Sequence, residues 1–170
     1  MIRRAGIDDL CQLQEIYNDA ILHTVATFDT ETKDLTERRQ WFYEHEKEPY
    51  VIFVEEDEKS GRLCGYASLS CYRERKAFDQ SVEISIYIHK DYRQRGCGSR
   101  LMEAVLSYAE EHPQIHVVVS LVTSENTASI HLHEKFGFVY CGQLKQVGYK
   151  LGRWLNLNIY QLSYDGVKHD

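Results

Sequence analysis

Residues 81–111 read SVEISIYIHKDYRQRGCGSRLMEAVLSYAEE, and the rest of the chain is best understood around this stretch. Val82, Ile84, Ile86 and Ile88 alternate with Glu83, Ser85 and Tyr87, the two-residue period of a strand with one apolar and one polar face. A charged connection then runs through Arg93-Gln94-Arg95-Gly96-Cys97-Gly98 to Ser99, after which Leu101, Met102, Val105, Leu106 and Ala109 fall at helical spacing. A strand therefore feeds a glycine-bearing turn, and the turn feeds a helix.

The first amides of a helix have no intrahelical acceptor, and the helix dipole adds partial positive charge there. Gly96 and Gly98 let the backbone turn sharply and let a bulky anion approach those amides, while Arg93, Arg95 and Arg100 add full charges. The turn is neither the dinucleotide fingerprint, which needs a third glycine, nor the Walker loop, which needs Gly-Lys-Ser/Thr. An ordinary helix entry is the plain alternative. The spacing Arg93-x-x-Gly96-x-Gly98 resembles the pyrophosphate-binding signature of the GNAT family of acetyl-CoA-dependent N-acetyltransferases. The ligand implied by that resemblance is coenzyme A.

With 170 residues, one domain over residues 1–170 with one substantial core is expected. Two prolines and ten glycines leave little material for a flexible linker, and no apolar run is long enough to span a membrane. Met1 to Asp9 lacks the apolar segment of a secretory signal. The five cysteines form no C-x-x-C pair, so no disulfide framework or zinc site is expected and a reducing cytoplasm fits. A net charge of −6 argues against a nucleic-acid partner.

Along the chain, Ile2–Ala5 reads as a short strand, and Leu10, Leu13, Ile16, Tyr17, Ala20 and Ile21 as an amphipathic helix started by Asp8 and Asp9. His23–Thr30 has no helical period. There Phe28 either puts a ring in a cleft or covers the core. Asp34 with Glu37 resembles a capping box for a second helix ending before Pro49. Tyr50–Val54 and Leu63–Ser70 are strands around an acidic hairpin connection, and Tyr72–Gln80 is a basic loop. After Pro113, His116–Val122 is a β-branched strand, and Ala128, Leu132 and Phe136 mark a helix closed by Gly137. Val139–Leu144 and Leu155–Tyr164 are the last strands, joined through Gln146–Trp154. The order β-α-α-β-β-β-α-β-α-β-β predicts an α/β sandwich of mixed sheet and flanking helices.

A second block, Asn126-x-x-Ser129-x-x-Leu132-His133-x-Lys135-x-Gly137-Phe138, looks like the GNAT helix-to-strand segment that follows the cofactor. Val82-Glu83-x-Ser85-Ile86-Tyr87-Ile88, Leu132-His133-Glu134, Gly148-Tyr149-Lys150, Thr27-Phe28-Asp29-Thr30 and Tyr72-Arg73-Glu74-Arg75 are similar to the phosphinothricin acetyltransferase subfamily, so the likeness runs from about Ile2 to Tyr164. It implies a mixed, mostly antiparallel sheet splayed at a central parallel pair and flanked by about four helices. It implies a homodimer and a substrate with a small α-amino acid head, such as phosphinothricin, methionine sulfoximine or methionine sulfone. Phe78 and Asn156 depart from the subfamily pattern, where tyrosine and aspartate are usual.

The resemblance also implies roles. Backbone of Ile86, Tyr87 and Ile88 would pair with the pantetheine of acetyl-CoA, and residues Arg93, Gln94, Arg95, Gly96, Cys97, Gly98 and Ser99 would hold its diphosphate. Glu83 is the candidate base for the amine, against the alternative of a solvent-facing carboxylate. His133 stands where many members place a tyrosine that protonates the thiolate; a helix histidine paired with a neighbour is the alternative. Asn126 would bind pantetheine or cap a helix, and Arg75 would pair with the substrate's acidic group or lie solvated. Phe28 is the other substrate-side candidate. His131 and His133 point to different sides of a helix, and no metal is expected. Acetylation of a peptide N-terminus or a polyamine, or a non-catalytic coenzyme A-binding module, are the competing readings.

Overall fold

The computed structural model describes residues 1–164. Its elements are β1 (Ile2–Arg4), α1 (Leu10–His23), α2 (Leu35–Glu44), β2 (Val51–Asp57), β3 (Arg62–Cys71), β4 (Ser81–Ile88), α3 (Cys97–Glu111), β5 (Val117–Thr123), α4 (Thr127–Lys135), β6 (Val139–Lys150) and β7 (Arg153–Ser163). The order matches that expected from the periodicities. The strands form one sheet in the order β1-β2-β3-β4-β5-β7-β6. All neighbours are antiparallel except β4 and β5.

Each face of the sheet carries its own core. Val82 and Ile84 turn toward α3, whose Leu101, Met102, Val105 and Ala109 are fully buried there. On the opposite face, Leu10, Leu13 and Ile16 of α1 and Phe42 of α2 pack on Ile52, Val54, Leu63 and Tyr66. Burial of each such side chain contributes about 1.5–3 kcal/mol, enough to fix which face of β4 meets which helix.

Local signals set the helix ends. Asp34 Oδ1 accepts from Glu37 N at 2.8 Å while Asp34 N donates to Glu37 Oε2 at 2.9 Å, the reciprocal capping box. Gly137 closes α4 with φ at 84°.

The structure corrects the sequence reading at the C-terminal hairpin. β6 continues past its expected end at Leu144 to Lys150, β7 starts at Arg153 close to where it was expected, and the two turn at Leu151–Gly152, with irregularities between Tyr140 and Gly142 and between Leu144 and Gly148. The polar segment expected as a connection is strand because each bulge absorbs residues that break the alternation. In the second bulge Gln146 N donates to Asn156 Oδ1 at 2.8 Å. An aspartate at position 156 could accept the same bond, so this departure from the subfamily pattern has a structural setting.

Candidate active site

The parallel ladder is short. It pairs Ser81 with Val117, Val82 with Val118 and Glu83 with Val119, and then stops, although β4 continues to Ile88 and β5 to Thr123. Beyond Glu83, β4 keeps its partner β3, through Ser85–Ser68, Ile86–Ala67, Tyr87–Tyr66 and Ile88–Gly65. Its other edge is left without a strand among the described residues. Unpaired backbone polar groups flanked by a sheet are a ready docking edge for an extended ligand.

The turn after β4 lies at the open end of this gap. Gln94 and Gly96 are left-handed, with φ of 61° and 77°, and Gly96 caps α3 with no side-chain hydrogen bond. The amides of residues 94–99 make no hydrogen bond to protein acceptors among the described residues. Alternating left-handed residues followed by a helix N-terminus form a concave set of amides suited to an anion.

The arginines are less uniform than expected. Arg95 stacks over the Tyr92 ring at 5.4 Å and Arg93 reaches Asp19 at 3.5 Å. Arg100 instead turns back to Glu55 of β2 at 2.7 Å, and its Nη1 donates to the Arg95 carbonyl. It ties the turn to β2 while remaining half exposed. Cys97 is buried, and burial beside Glu55 pushes its thiol up, away from nucleophilic use.

The first turn of α3 is seated on α4. A Cβ on Gly98 would lie 3.3 Å from Leu132 Cδ2, and Lys135 Nζ donates to Ser99 Oγ at 3.3 Å. α4 itself begins at Asn126, whose side chain accepts from Ser129 N at 3.2 Å. Asn126 is thus a helix cap by geometry, with its amide nitrogen free of protein partners among the described residues. Since β4 and β5 run parallel, the turn and Asn126 emerge at the same end of the gap.

His133 is buried, with Nε2 2.7 Å from Ser120 Oγ and Nδ1 2.7 Å from the Ser129 carbonyl. The carbonyl can only accept, so Nδ1 carries the proton and Ser120 donates to Nε2. Burial lowers its pKa, which keeps the ring neutral. Both ring nitrogens are therefore engaged within the fold, and the partners are serines rather than a carboxylate.

Glu83 is the last residue of the parallel ladder and shares the polar face of β4 with Ser85 and Tyr87. Burial pushes its carboxyl above the ordinary value, partly opposed by the charge of Arg73. A carboxylate shifted in that direction is better suited to accept a proton near neutral pH.

On the same face lies a cavity of about 350 Å³. Ser68 and Ser70 of β3 and Ser85 and Tyr87 of β4 line its floor; Tyr17, Arg38 and Trp41 line its helical wall. Ser70 is also the cross-strand partner of Glu83, which places that carboxylate at the cavity margin. The helical wall is absent from the sequence expectations. Its trace was Arg38 on the same stripe of α2 as Phe42 and His45, a charge where periodicity calls for an apolar residue.

The loop between α1 and α2 borders the cavity. Thr27 offers its carbonyl to the buried Lys150 Nζ at 2.7 Å, and Thr123 Oγ1 donates to the Val25 carbonyl at 2.6 Å. Phe28 rests on Gly148, so close that a Cβ there would meet its ring at 2.1 Å. Its neighbour Asp29, rather than Phe28, lines the cavity and accepts from Tyr17 Oη at 2.6 Å.

Arg75 sits exposed on the loop between β3 and β4 and does not line the cavity. Phe78 in the same loop meets Tyr72 edge to face, with ring centroids 5.6 Å apart. Among the described residues no group of three or more His, Cys, Asp or Glu side chains could hold a metal ion.

Residues 12–138 match the model of the acetyltransferase (GNAT) family. The L-methionine sulfoximine/L-methionine sulfone acetyltransferase of Pseudomonas paraeruginosa is 40% identical over 167 residues, covering 98% of this chain and 96% of that protein. The phosphinothricin N-acetyltransferase of Streptomyces coelicolor is 36% identical, covering 93% of each. Among solved structures, yncA of Salmonella typhimurium with its cofactor acetyl-CoA superposes with a TM-score of 0.92 at 36% identity, over 98% of this chain and 95% of that one. Fold, splayed strand pair and sequence agree, and the chain belongs to the GNAT family of acetyltransferases.

Proposed function

We propose that this chain acetylates the α-amino group of a small amino acid or analogue of the phosphinothricin, methionine sulfoximine or methionine sulfone type, using acetyl-CoA. The observation that carries this reading is the parting of β4 from β5 at Glu83, which sets a carboxyl raised by burial at the vertex of an open backbone edge. The residues fit the cosubstrate. Unbonded amides of 94–99 suit a diphosphate, the free edge at Ile86, Tyr87 and Ile88 suits an extended amide-bearing arm, and Asn126, at the end of β5 where the gap is open, has a side-chain amide nitrogen to offer that arm.

Acetyl-CoA supplies an activated acetyl group as a thioester. Glu83 takes the proton from the substrate ammonium, directly or through a water, so that the amine attacks without an acyl-enzyme. An unpaired amide of β4 supplies a donor for charge developing on the carbonyl oxygen. His133 holds α4 against β5 and so positions Asn126; with both nitrogens engaged it serves packing better than proton donation.

The remaining parts of the reading concern setting. All five cysteines are free thiols, which supports a reducing cytoplasm. Net charge of −6 supports small-molecule work over nucleic-acid binding. Val139, Tyr140, Leu144, Tyr149 and Trp154 are 48–64% exposed on one hairpin at the sheet edge, which supports a homodimer formed through that surface.

The test is thiol release from acetyl-CoA with methionine sulfone, methionine sulfoximine, phosphinothricin, an N-terminal peptide and a polyamine. Turnover is expected with the amino acid analogues and not with the last two. Glu83→Gln is expected to lower kcat by about 10²–10⁴-fold. Because the Glu83 pKa is raised, wild-type rate should fall as pH drops through it, and the variant should lose that limb. An unchanged rate and profile in Glu83→Gln would remove it as the base.

A further inference from the structure

The guanidinium of Arg38 has no assigned task. It is 4% exposed, deep in α2, and lines the cavity beside Glu83. Its Cζ lies 3.7 Å from the centre of the Trp41 ring and 4.6 Å from that of Tyr17. Among the described residues it donates one hydrogen bond, from Nη2 to Tyr66 Oη at 3.3 Å, and its Nε has no partner. No carboxylate lies within ion-pair distance of it among the described residues.

A buried cation without a counter-ion is costly, and ring stacking offsets only part of that cost. The acids that line the same cavity are engaged elsewhere. Asp29 and Glu37 both stand 3.9 Å from Lys33, and Asp29 also accepts from Tyr17, while Glu44 accepts from Gln40. These carboxylates lie at the partly exposed mouth, whereas Arg38 lies inside. Arg38 is thus the cation of the cavity lining that has no ion pair among the described residues, in a wall shared with the hydroxyls of Ser68, Ser70 and Ser85.

We propose that Arg38 is the anion anchor of this cavity and binds an acidic group of the amine substrate. The inference rests on the cavity being the amine pocket, and it narrows the substrate to amines that carry a negative charge. The guanidinium packs against the rings of Trp41 and Tyr17, which restrict it before the ligand arrives, so little ordering is needed on binding. A polyamine would meet like charge here. The acidic group can be the α-carboxylate or a side-chain phosphinate, since both accept charge-assisted hydrogen bonds.

The test compares wild type, Arg38→Met and Arg38→Lys on four ligands: methionine sulfone, its α-amide, phosphinothricin and its α-amide. Calorimetric titration without acetyl-CoA and steady-state kinetics are both read. For the acids, Arg38→Met is expected to raise Kd and KM about 10- to 100-fold, the loss of a charge-assisted pair, with kcat within a few-fold of wild type. Arg38→Lys is expected to restore part of the affinity, and it decides the matter if Arg38→Met does not fold. For methionine sulfone amide neither substitution should matter. A penalty that persists on phosphinothricin amide assigns Arg38 to the phosphinate, and one that vanishes assigns it to the α-carboxylate. Equal losses on methionine sulfone and its amide, which carries no anion, would overturn the proposal and leave Arg38 a packing residue. Failure of the wild type to bind any of the acids would overturn it too. Binding without turnover would instead sink the enzymatic reading and leave the anion site standing.

Discussion

A neutral imidazole sealed between Ser120 and Ser129 makes His133 a source of acid sensitivity. Its folded pKa is depressed by burial, as is that of His45, which bonds Trp41 O and Ser70 Oγ at 2.7 Å each. The unfolded chain takes up protons near the ordinary value of 6.5, while the folded chain resists. Stability is therefore expected to hold above that pH and to fall as pH drops through it toward the depressed folded values. In His133→Phe the slope of stability against pH should be shallower, because one of the two groups is gone. At neutral pH the variant should lose about 1–3 kcal/mol, since the Ser120 hydroxyl is left buried without its partner. Urea unfolding at two pH values measures both. Turnover per folded molecule should change little, and a loss beyond tenfold in fully folded variant would return His133 to the acid's role. The ring's two bonds were invisible in sequence because Ser120 comes from β5 and is brought to the helix only by folding.

At the scale of elements, the loop of residues 24–30 and the β6–β7 hairpin depend on each other. Phe28 covers Gly148, Lys150 holds the Thr27 carbonyl, and Thr27 in turn lies 3.2 Å from Tyr17 Oη at the cavity wall. Gly148→Ala puts a methyl where the ring stands, 2.1 Å from its nearest atom, so the ring must leave. The expected cost is about 1–3 kcal/mol, with a raised KM for the amine as the loop carries Asp29 away from Tyr17, and with acetyl-CoA affinity kept. Thermal unfolding and separate KM values for the two substrates check this. The Gly148-Tyr149-Lys150 motif was legible as a resemblance, yet its physical work was not, because the partner residues are 120 positions away or more. By contrast, the Asp34–Glu37 box and the Gly137 stop could be read directly, since each is completed within a single turn of helix.

For the whole molecule, the open question is what meets the outer hairpin. β6 ends the sheet, and Tyr149 and Trp154 pair at 5.2 Å on its exposed surface. An aromatic edge strand of this kind invites another chain. The proposed homodimer predicts that the wild type sediments as a dimer and that a Trp154→Glu, Tyr149→Glu double variant sediments as a monomer. A monomeric wild type would defeat the assignment of that face.

Periodicity and caps within the sequence determined the order of elements, the polar face of β4 and the glycine turn that opens α3, because each depends on residues a few positions apart. The resemblance of two motifs then indicated a family and its acyl carrier. Only the tertiary structure decided that the β4–β5 ladder ends at Glu83, that Arg100 reaches back to Glu55, and that Arg38 lies buried without a counter-ion among the described residues. Those facts depend on where separate elements meet and how fully water is removed between them, and neither quantity is written in local spacing.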